Sequence, residues 1–327
     1  MCALSLGIDT SNYTTSVALV DEKENIIYKK GILLEVKSGE RGLRQSDALF
    51  QHVNNLPILL QELARGREIE VICFSQQPRP LPDSYMPVFR AGESLAKSLA
   101  AVLNVKLLGV SHQEDHIRAA LYGSGSPILE DSFCAVHFSG GTSELLLVNK
   151  EKIGYRCEII AKTLDLNAGQ LVDRIGVLMG CDFPAGRAVE KLAEKAMLQK
   201  QENDCIISAS MAGSDFHFSG QQNQAENYLK SGADKSVVAY HLLKAIAKTL
   251  SKSIVQLQKK HAFHSVLFSG GVMSNQIIKT CIIKELAQSG IRLYFSPGEY
   301  ARDNAIGNAL MGMDYFKTSG GEIRDKC

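Results

Sequence analysis

His112 and His116 stand four residues apart in His112-Gln113-Glu114-Asp115-His116. On a helix that spacing puts both imidazoles on one face, where they could reach one metal ion. Two surface histidines would show the same spacing. A zinc protease needs a glutamate beside the first histidine. Here Glu114 sits two residues on, roughly 200° around the helix, so it cannot share the metal face and peptidase chemistry is set aside. Asp303, in Tyr300-Ala301-Arg302-Asp303-Asn304, is the candidate third ligand. It precedes the helical stretch Ala305 to Phe316, and an aspartate there could equally be an N-cap. Asp9 ends an opening strand beside Thr10, Ser11, Thr14 and Thr15. It is the candidate catalytic carboxylate, placed to face phosphate or a hydrated metal, with an Asx-turn as the alternative.

A second set of residues suits a nucleotide. Phe138-Ser139-Gly140-Gly141 and Phe268-Ser269-Gly270-Gly271 are the same tetrapeptide, each directly after an apolar run. Each reads as a strand ending in a turn whose paired glycines leave backbone N–H groups uncovered, open to close approach by a phosphate. Two copies with identical flanks suggest a nucleotide held between two related layers. Asp173, on a helix, and Gly186, in the turn Phe183-Pro184-Ala185-Gly186, could bind ribose hydroxyls or be solvated. Asn275, four residues after Gly271, would open a helix over the nucleotide or merely cap it.

These residues need strands and helices to place them. Leu4, Leu6 and Ile8 alternate with Ser5, Gly7 and Asp9, a strand period. Ser16 to Val20 is a second strand, and Asn25 to Leu34 could supply a third. Ser46 to Ala64 has helical apolar spacing, Glu70 to Ser75 is a short buried strand, and Ala91 to Leu103 reads as a helix. Half of the eight prolines fall in Gln76 to Pro87, an irregular loop. The order then repeats. Phe133 to Phe138 and Ser143 to Val148 flank the first Gly-Gly turn. Helices follow at about 171–179, 188–198 and 236–259, then the strand into Phe268 and a helix from about Asn275 to Ser289. The pattern is mixed α/β in two similar halves. A single dehydrogenase-type domain fits poorly, because the Gly-x-Gly-x-x-Gly fingerprint is missing after the first strand.

Composition narrows the class. The 327 residues suffice for two domains, and 45% hydrophobic with 22% charged residues is ordinary for a globular protein. A net charge of +1 gives no bulk electrostatic hold on nucleic acid, so an RNA substrate would need a local basic patch or a partner protein. Eight scattered cysteines without a Cys-x-x-Cys pair read as reduced core thiols in a cytoplasmic protein. The N-terminus enters a strand pattern at once and does not read as a signal peptide. No apolar stretch approaches the roughly 20 residues that span a bilayer.

Taken together, these segments resemble the TsaD/Gcp family of tRNA threonylcarbamoyladenosine transferases, once labelled O-sialoglycoprotein endopeptidases. Leu6-Gly7-Ile8-Asp9-Thr10-Ser11 looks like the family's opening strand and turn, and Ser111 to His116 like its His-Met-Glu-Gly-His metal segment. Ser139-Gly140-Gly141-Thr142 looks like Ser-Gly-Gly-His-Thr, and Asp215 to Gly220 like Phe-Ser-Phe-Ser-Gly. Gly270 to Asn275 and Arg302-Asp303-Asn304 match the adenosine turn and the last metal segment.

The resemblance implies an α/β fold of the two-lobed actin/sugar-kinase/Hsp70 (ASKHA) type, with duplicated mixed-sheet domains and a nucleotide cleft between them. Residues 1–110, completed by a C-terminal helix at about 304–327, would form the first lobe and 111–303 the second. It further implies one divalent metal, Fe2+ or Zn2+, on His112, His116 and Asp303. An adenylate, threonylcarbamoyl-AMP or ATP/ADP, would lie on Phe138, Ser139, Gly140, Gly141, Asp173, Gly186 and Asn275. The implied reaction carries the threonylcarbamoyl group to N6 of the adenosine beside the anticodon of ANN-decoding tRNAs. The implied partners are tRNA, a small inactive paralogue of the same fold and a P-loop ATPase.

The chain also departs from that pattern. Thr142 stands where the family has His, and Leu166 and Gln170 replace carboxylates of Asp-Asp-Ala-x-Gly-Glu. Gln221-Gln222 replaces Leu-Lys, and Gln76 to Pro80 occupies the place of a Gly-Pro-Gly loop. An alternative function therefore stands beside transfer: a divergent paralogue that binds nucleotide and metal as an ATPase-like regulator or complex partner.

Overall fold

The computed structural model describes residues 3–11, 13–36, 43–63, 68–81, 83–125, 127–128, 130–198, 205–301 and 303–320. Cys2, Asn12, Ala64, Pro82, Arg302, Cys327 and the end of the expected C-terminal helix lie outside the described residues. The chain opens with strands β1 (Leu4–Asp9), β2 (Thr14–Asp21) and β3 (Ile26–Leu33), then α1 (Gln45–Leu63), β4 (Ile69–Gln77), α2 (Phe89–Leu103), β5 (Lys106–Ser111) and α3 (His112–Gly123). Next come β6 (Ser132–Phe138), β7 (Ser143–Lys150), β8 (Tyr155–Lys162), α4 (Ala168–Leu178), α5 (Gly186–Leu198), β9 (Ser210–Ala212) and β10 (Asp215–His217). The remainder is α6 (Ser219–Lys230), α7 (Lys235–His261), β11 (Ser265–Ser269), a 3-10 turn at Gly271–Ser274, α8 (Gln276–Glu285), β12 (Arg292–Phe295) and α9 (Ile306–Thr318).

Two compact units result. The first holds residues 1–125, 150–156 and 299–327, and the second holds 126–149 and 157–298. The division expected after residue 110 and before 304 does not coincide with them. Residues 111–125, 299–301 and 303 fall in one unit with β1, where α3 packs against α9 and α9 against β1. The histidines of α3 and Asp303 therefore share one unit with Asp9.

In the first unit the sheet order is β3-β2-β1-β4-β5. β1 runs antiparallel to β2 and parallel to β4. The alternation in β1 does not separate a wet face from a dry one, since Ser5, Leu6, Gly7, Ile8 and Asp9 are all buried. It separates a face of large side chains from a face of small ones. Leu6 and Ile8 pack with Leu56, Leu59, Ala91 and Ala96 of α1 and α2. On the other face a Cβ at Gly7 would overlap the Ala305 carbonyl oxygen, so glycine is what lets α9 lie directly on β1. Gly307 does the same between α9 and α3, where a Cβ would overlap the Asp115 carbonyl oxygen. Arg118 of α3 ties the pair further, donating to Asp314 of α9 at 2.8 and 3.3 Å.

In the second unit the order is β12-β11-β6-β7-β8, the same layout with β6 in the place of β1. β6 is antiparallel to β7 and parallel to β11, as β1 is to β2 and β4. The core gathers Val136 and Phe138 of β6, Val266 and Phe268 of β11, and α7 residues from Val238 to Leu257. The duplicated mixed α/β design expected from the sequence is present. Among the described residues no helix is long and apolar enough to cross a membrane. None of the described cysteines forms a disulfide, and Cys73, Cys134 and Cys205 are buried.

Asp165 fixes the β9–β10 hairpin and the start of α6. Its carboxylate accepts from Phe218 N–H at 2.8 Å, Ser219 N–H at 3.2 Å and Ser219 Oγ at 2.5 Å. Burial alone would raise this carboxyl, but these bonds outweigh it and lower its pKa to about 2. A depressed folded-state pKa contributes stability above the unfolded value near 3.8, which is lost as pH falls through about 2. Asp165→Asn is therefore expected to cost on the order of 1–2 kcal/mol at pH 7. Urea titrations from pH 7 to pH 2 should find the gap between variant and wild type closing only below pH 4.

Candidate functional site

Ser111 starts α3 with a capping box. Its Oγ accepts from Glu114 N–H, while Glu114 Oε2 accepts from Ser111 N–H at 2.8 Å. The other carboxylate oxygen of Glu114 accepts from Tyr155 N–H at 3.1 Å. Glu114 is thus occupied away from the histidines, as its angle on the helix requires. That cap fixes the phase of α3, and His112 and His116 come together with ring centroids 4.3 Å apart.

Asp303 meets both rings. Its Oδ1 lies 3.5 Å from His112 Nε2 and 3.4 Å from His116 Nε2. Among the described residues no side chain caps α9: Asn304 Oδ1 accepts from Ile306 N–H at 2.9 Å, and Asp303 faces the histidines. Burial alone would raise the Asp303 carboxyl, but hydrogen bonds from His112 and His116 outweigh it and hold it well below the usual carboxylate range. Burial would likewise lower His112, yet Asp9 and Asp303 hold its imidazolium well above the ordinary histidine value. The same negative field would favour a bound cation. One ligand atom from each of His112, His116 and Asp303 lies within 4.8 Å of the others. Two imidazole nitrogens and one carboxylate oxygen form a donor set that suits Zn2+ or Fe2+.

Behind this trio lies a buried layer. Asp9 is fully buried. Its Oδ1 sits 3.3 Å from His112 Nδ1, and its Oδ2 accepts from Ser11 Oγ at 2.6 Å. Ser11 Oγ is also 3.2 Å from His112 Nε2. Asp9 therefore meets the trio at His112. Asp115 and Asn308, both fully buried, complete the layer: Asn308 N–H donates to Asp115 Oδ1 at 2.6 Å, and Asn308 Nδ2 donates to the Ile8 carbonyl at 2.8 Å and to Ser75 Oγ at 2.9 Å. Burial, then the charge of Asp9, pushes the Asp115 carboxyl well above its ordinary value. Sequence reasoning passed over Asp115 and Asn308. The available signal was spacing, since Asp115 is three residues after His112 and so neighbours it on the helix.

The second unit carries the glycine turns. Phe138 is fully buried against Phe216 and Phe218, with ring centroids 5.6 and 6.0 Å away, so only its backbone is available to a ligand. Ser139 closes the hairpin turn, its Oγ accepting from Gly141 and Thr142 N–H at 3.3 and 3.1 Å. The turn is therefore less bare of hydrogen bonds than its sequence suggests. Asp173 Oδ1 accepts from Ala185 N–H at 2.8 Å, tying α4 to the turn that carries Gly186. Asn275 Oδ1 caps α8 through Ile278 N–H at 3.0 Å.

The two Gly-Gly pairs have different causes. Gly270 has φ 97°, and a Cβ there would overlap the Phe138 carbonyl oxygen. At Gly140, Gly141 and Gly186 neither a positive φ nor a protein atom within 4 Å of a Cβ requires glycine. Gly270→Ala is expected to lower stability by about 2 kcal/mol or more. Gly141→Ala should change stability by less than about 0.5 kcal/mol, and for the adenylate expected at this turn a roughly tenfold loss of affinity is the corresponding prediction. Urea denaturation and calorimetric titration with AMP separate the two effects.

The family model TsaD, described as tRNA N6-adenosine threonylcarbamoyltransferase, matches residues 41–310. A protein of that name from Thermotoga neapolitana is 27% identical over 318 residues, covering 95% of this chain and 94% of its own. Another, from Polynucleobacter asymbioticus, is 29% identical over 337 residues, covering 94% and 90%. A probable bifunctional tRNA threonylcarbamoyladenosine biosynthesis protein from Methanothermobacter thermautotrophicus is 27% identical, and the chain spans 57% of its length. Among solved structures, T. kodakarensis HypF aligns with TM-score 0.61 and 16% identity over 97% of this chain, which spans 48% of HypF. The Acidaminococcus fermentans (R)-2-hydroxyglutaryl-CoA dehydratase component A aligns with TM-score 0.53 and 15% identity, covering 97% and 99%. These likenesses establish the fold as the expected ASKHA type. With the family match extending over most of the chain and through both units, the chain belongs to the TsaD family.

Proposed function

We propose that this chain, acting in the cytoplasm, transfers the threonylcarbamoyl group from threonylcarbamoyl-AMP to N6 of the adenosine next to the anticodon in tRNAs that read ANN codons. The observation that carries this reading is the meeting of His112, His116 and Asp303 in a chain of the TsaD family. These three residues would hold one divalent metal, iron or zinc. When bound, that ion supplies a Lewis acid to offset charge on the leaving phosphate. Asp9 acts as a positioning carboxylate, holding the Nδ1 side of His112 so that Nε2 stays turned toward Asp303. The backbone of residues 138–141, with Asp173, Gly186 and Asn275, would take the adenylate. Support comes from the open space over Gly140, Gly141 and Gly186, where nothing in the protein demands glycine. In the transfer, N6 attacks the threonylcarbamoyl carbonyl carbon, the bond to the phosphate oxygen breaks, AMP leaves and N6 loses a proton. No side chain need form a covalent intermediate.

Near-neutral charge makes shared tRNA binding the expected arrangement, with a small inactive paralogue and a P-loop ATPase as the partners the family resemblance implies. The test supplies threonylcarbamoyl-AMP, unmodified tRNA and those partners, then measures the modified nucleoside after digestion. Modified nucleoside is expected, and its absence would end the transferase reading. One observation favours the regulator reading instead: Leu166 is buried where the family carries a carboxylate. Nucleotide and metal binding without product would support that alternative.

A further inference from the structure

The layer behind His112 has more oxygen acceptors than donors. Asp115 Oδ2 and Asn308 Oδ1 are buried and accept no hydrogen bond among the described residues, and the buried Asp9 Oδ1 faces His112 Nδ1 at 3.3 Å. Asp9, Asp115 and Asn308 are each fully buried and come from three separate elements, β1, α3 and α9. Asn308 joins the other two, donating to Asp115 Oδ1 and to the carbonyl of Ile8, the residue before Asp9. One ligand atom each from Asp9, His112 and Asp115 lies within 4.8 Å of the others. A hard cation with bonds to oxygen of about 2.4 Å can reach atoms grouped this closely. His112 turns Nε2 to Asp303 and Nδ1 to Asp9, so its ring stands between this group and the first trio. Asp115 also stands where the family segment His-Met-Glu-Gly-His has glycine.

We propose that Asp9 and Asp115 hold a second cation, a hard divalent ion bound through carboxylate oxygen, on the Nδ1 side of His112. Oxygen donors select Mg2+, Mn2+ or Ca2+, whereas the imidazole-rich trio selects zinc or iron. The second ion neutralises two buried carboxylates and holds the end of β1 against α3 and α9. The site stands whether or not the chain transfers threonylcarbamoyl to tRNA.

The probe is Mn2+, added to full-length protein stripped of metal and then loaded with one equivalent of Zn2+, which outcompetes Mn2+ for the imidazole site. Electron paramagnetic resonance counts the bound manganese. Zinc-loaded wild type should bind about one Mn2+ per chain. Asp115→Asn, which keeps the acceptor used by Asn308 N–H, should bind it at least about tenfold more weakly. Zinc loss in His116→Ala reports the first trio separately, so failure of one site is not mistaken for failure of the other. No Mn2+ uptake by zinc-loaded wild type, or equal uptake by Asp115→Asn, would overturn the proposal. Should the variant not fold, wild type decides alone: Mn2+ must raise the thermal midpoint of the zinc-loaded protein, and an unchanged midpoint refutes the site.

Discussion

His112→Ala combined with His116→Ala is expected to abolish stoichiometric zinc or iron in the purified protein. Both Nε2 atoms approach a single oxygen of Asp303, at 3.5 and 3.4 Å, so the double change leaves one carboxylate of the trio. A lone carboxylate does not hold such ions against water, and zinc affinity should fall by at least about a thousandfold. The electrostatics move with it. Without the two imidazoles, burial dominates at Asp303 and its carboxyl rises from its depressed value. Elemental analysis of wild type and variant reads the outcome. Equal metal content in the two proteins would refute the site.

Gly307→Ala is expected to give the largest loss of folding stability, about 3 kcal/mol or more. Helix propensity alone predicts the opposite sign, because alanine is favoured over glycine in a helix by about 1 kcal/mol. The structural reason is the crossing of α9 over α3. A Cβ at residue 307 would overlap the backbone carbonyl oxygen of Asp115, and no flexible side chain can yield there. Relief requires the two helices to part, which would also draw His116 on α3 away from Asp303 just before α9. The urea midpoint should fall with an unchanged slope, and zinc should bind more weakly. A variant as stable as wild type would mean that the helices do not approach as closely as described.

Much of this arrangement could be read from residue order. Strand–turn–strand units at Leu4 to Val20 and Phe133 to Val148 gave the duplicated α/β design, because alternation and Gly-Gly turns are local signals. The pairing of His112 with His116 was legible for the same reason. What local pattern could not supply was the depth of packing. Ser5, Gly7 and Asp9 read as the polar face of a strand, yet α9, about 300 residues later, buries them. The approach of Asp303 to both histidines was not a local signal either, since an aspartate before a helix could equally cap it. The twin Phe-Ser-Gly-Gly segments look alike in sequence, but only Gly270 is dictated by backbone conformation and a close neighbour.

The departures from the family pattern also gain physical reasons. Leu166 fills the core of the second unit, and Gln170 supplies the capping box of α4 as a glutamate would. Gln221 is buried and donates to Thr249 Oγ1 at 2.7 Å. These changes serve packing and leave the trio on α3 and Asp303 unaltered.

The most direct measurement of the central claim follows AMP and nucleoside together. Threonylcarbamoyl-AMP labelled in threonine is supplied with the partner proteins and an unmodified ANN-decoding tRNA, alongside the same tRNA carrying guanosine at the acceptor position. Transfer to N6 should release one AMP for each labelled nucleoside formed on the adenosine tRNA and none on the guanosine tRNA, with both products lost in His116→Ala. AMP release without labelled tRNA, or labelling that ignores the acceptor base, would contradict it.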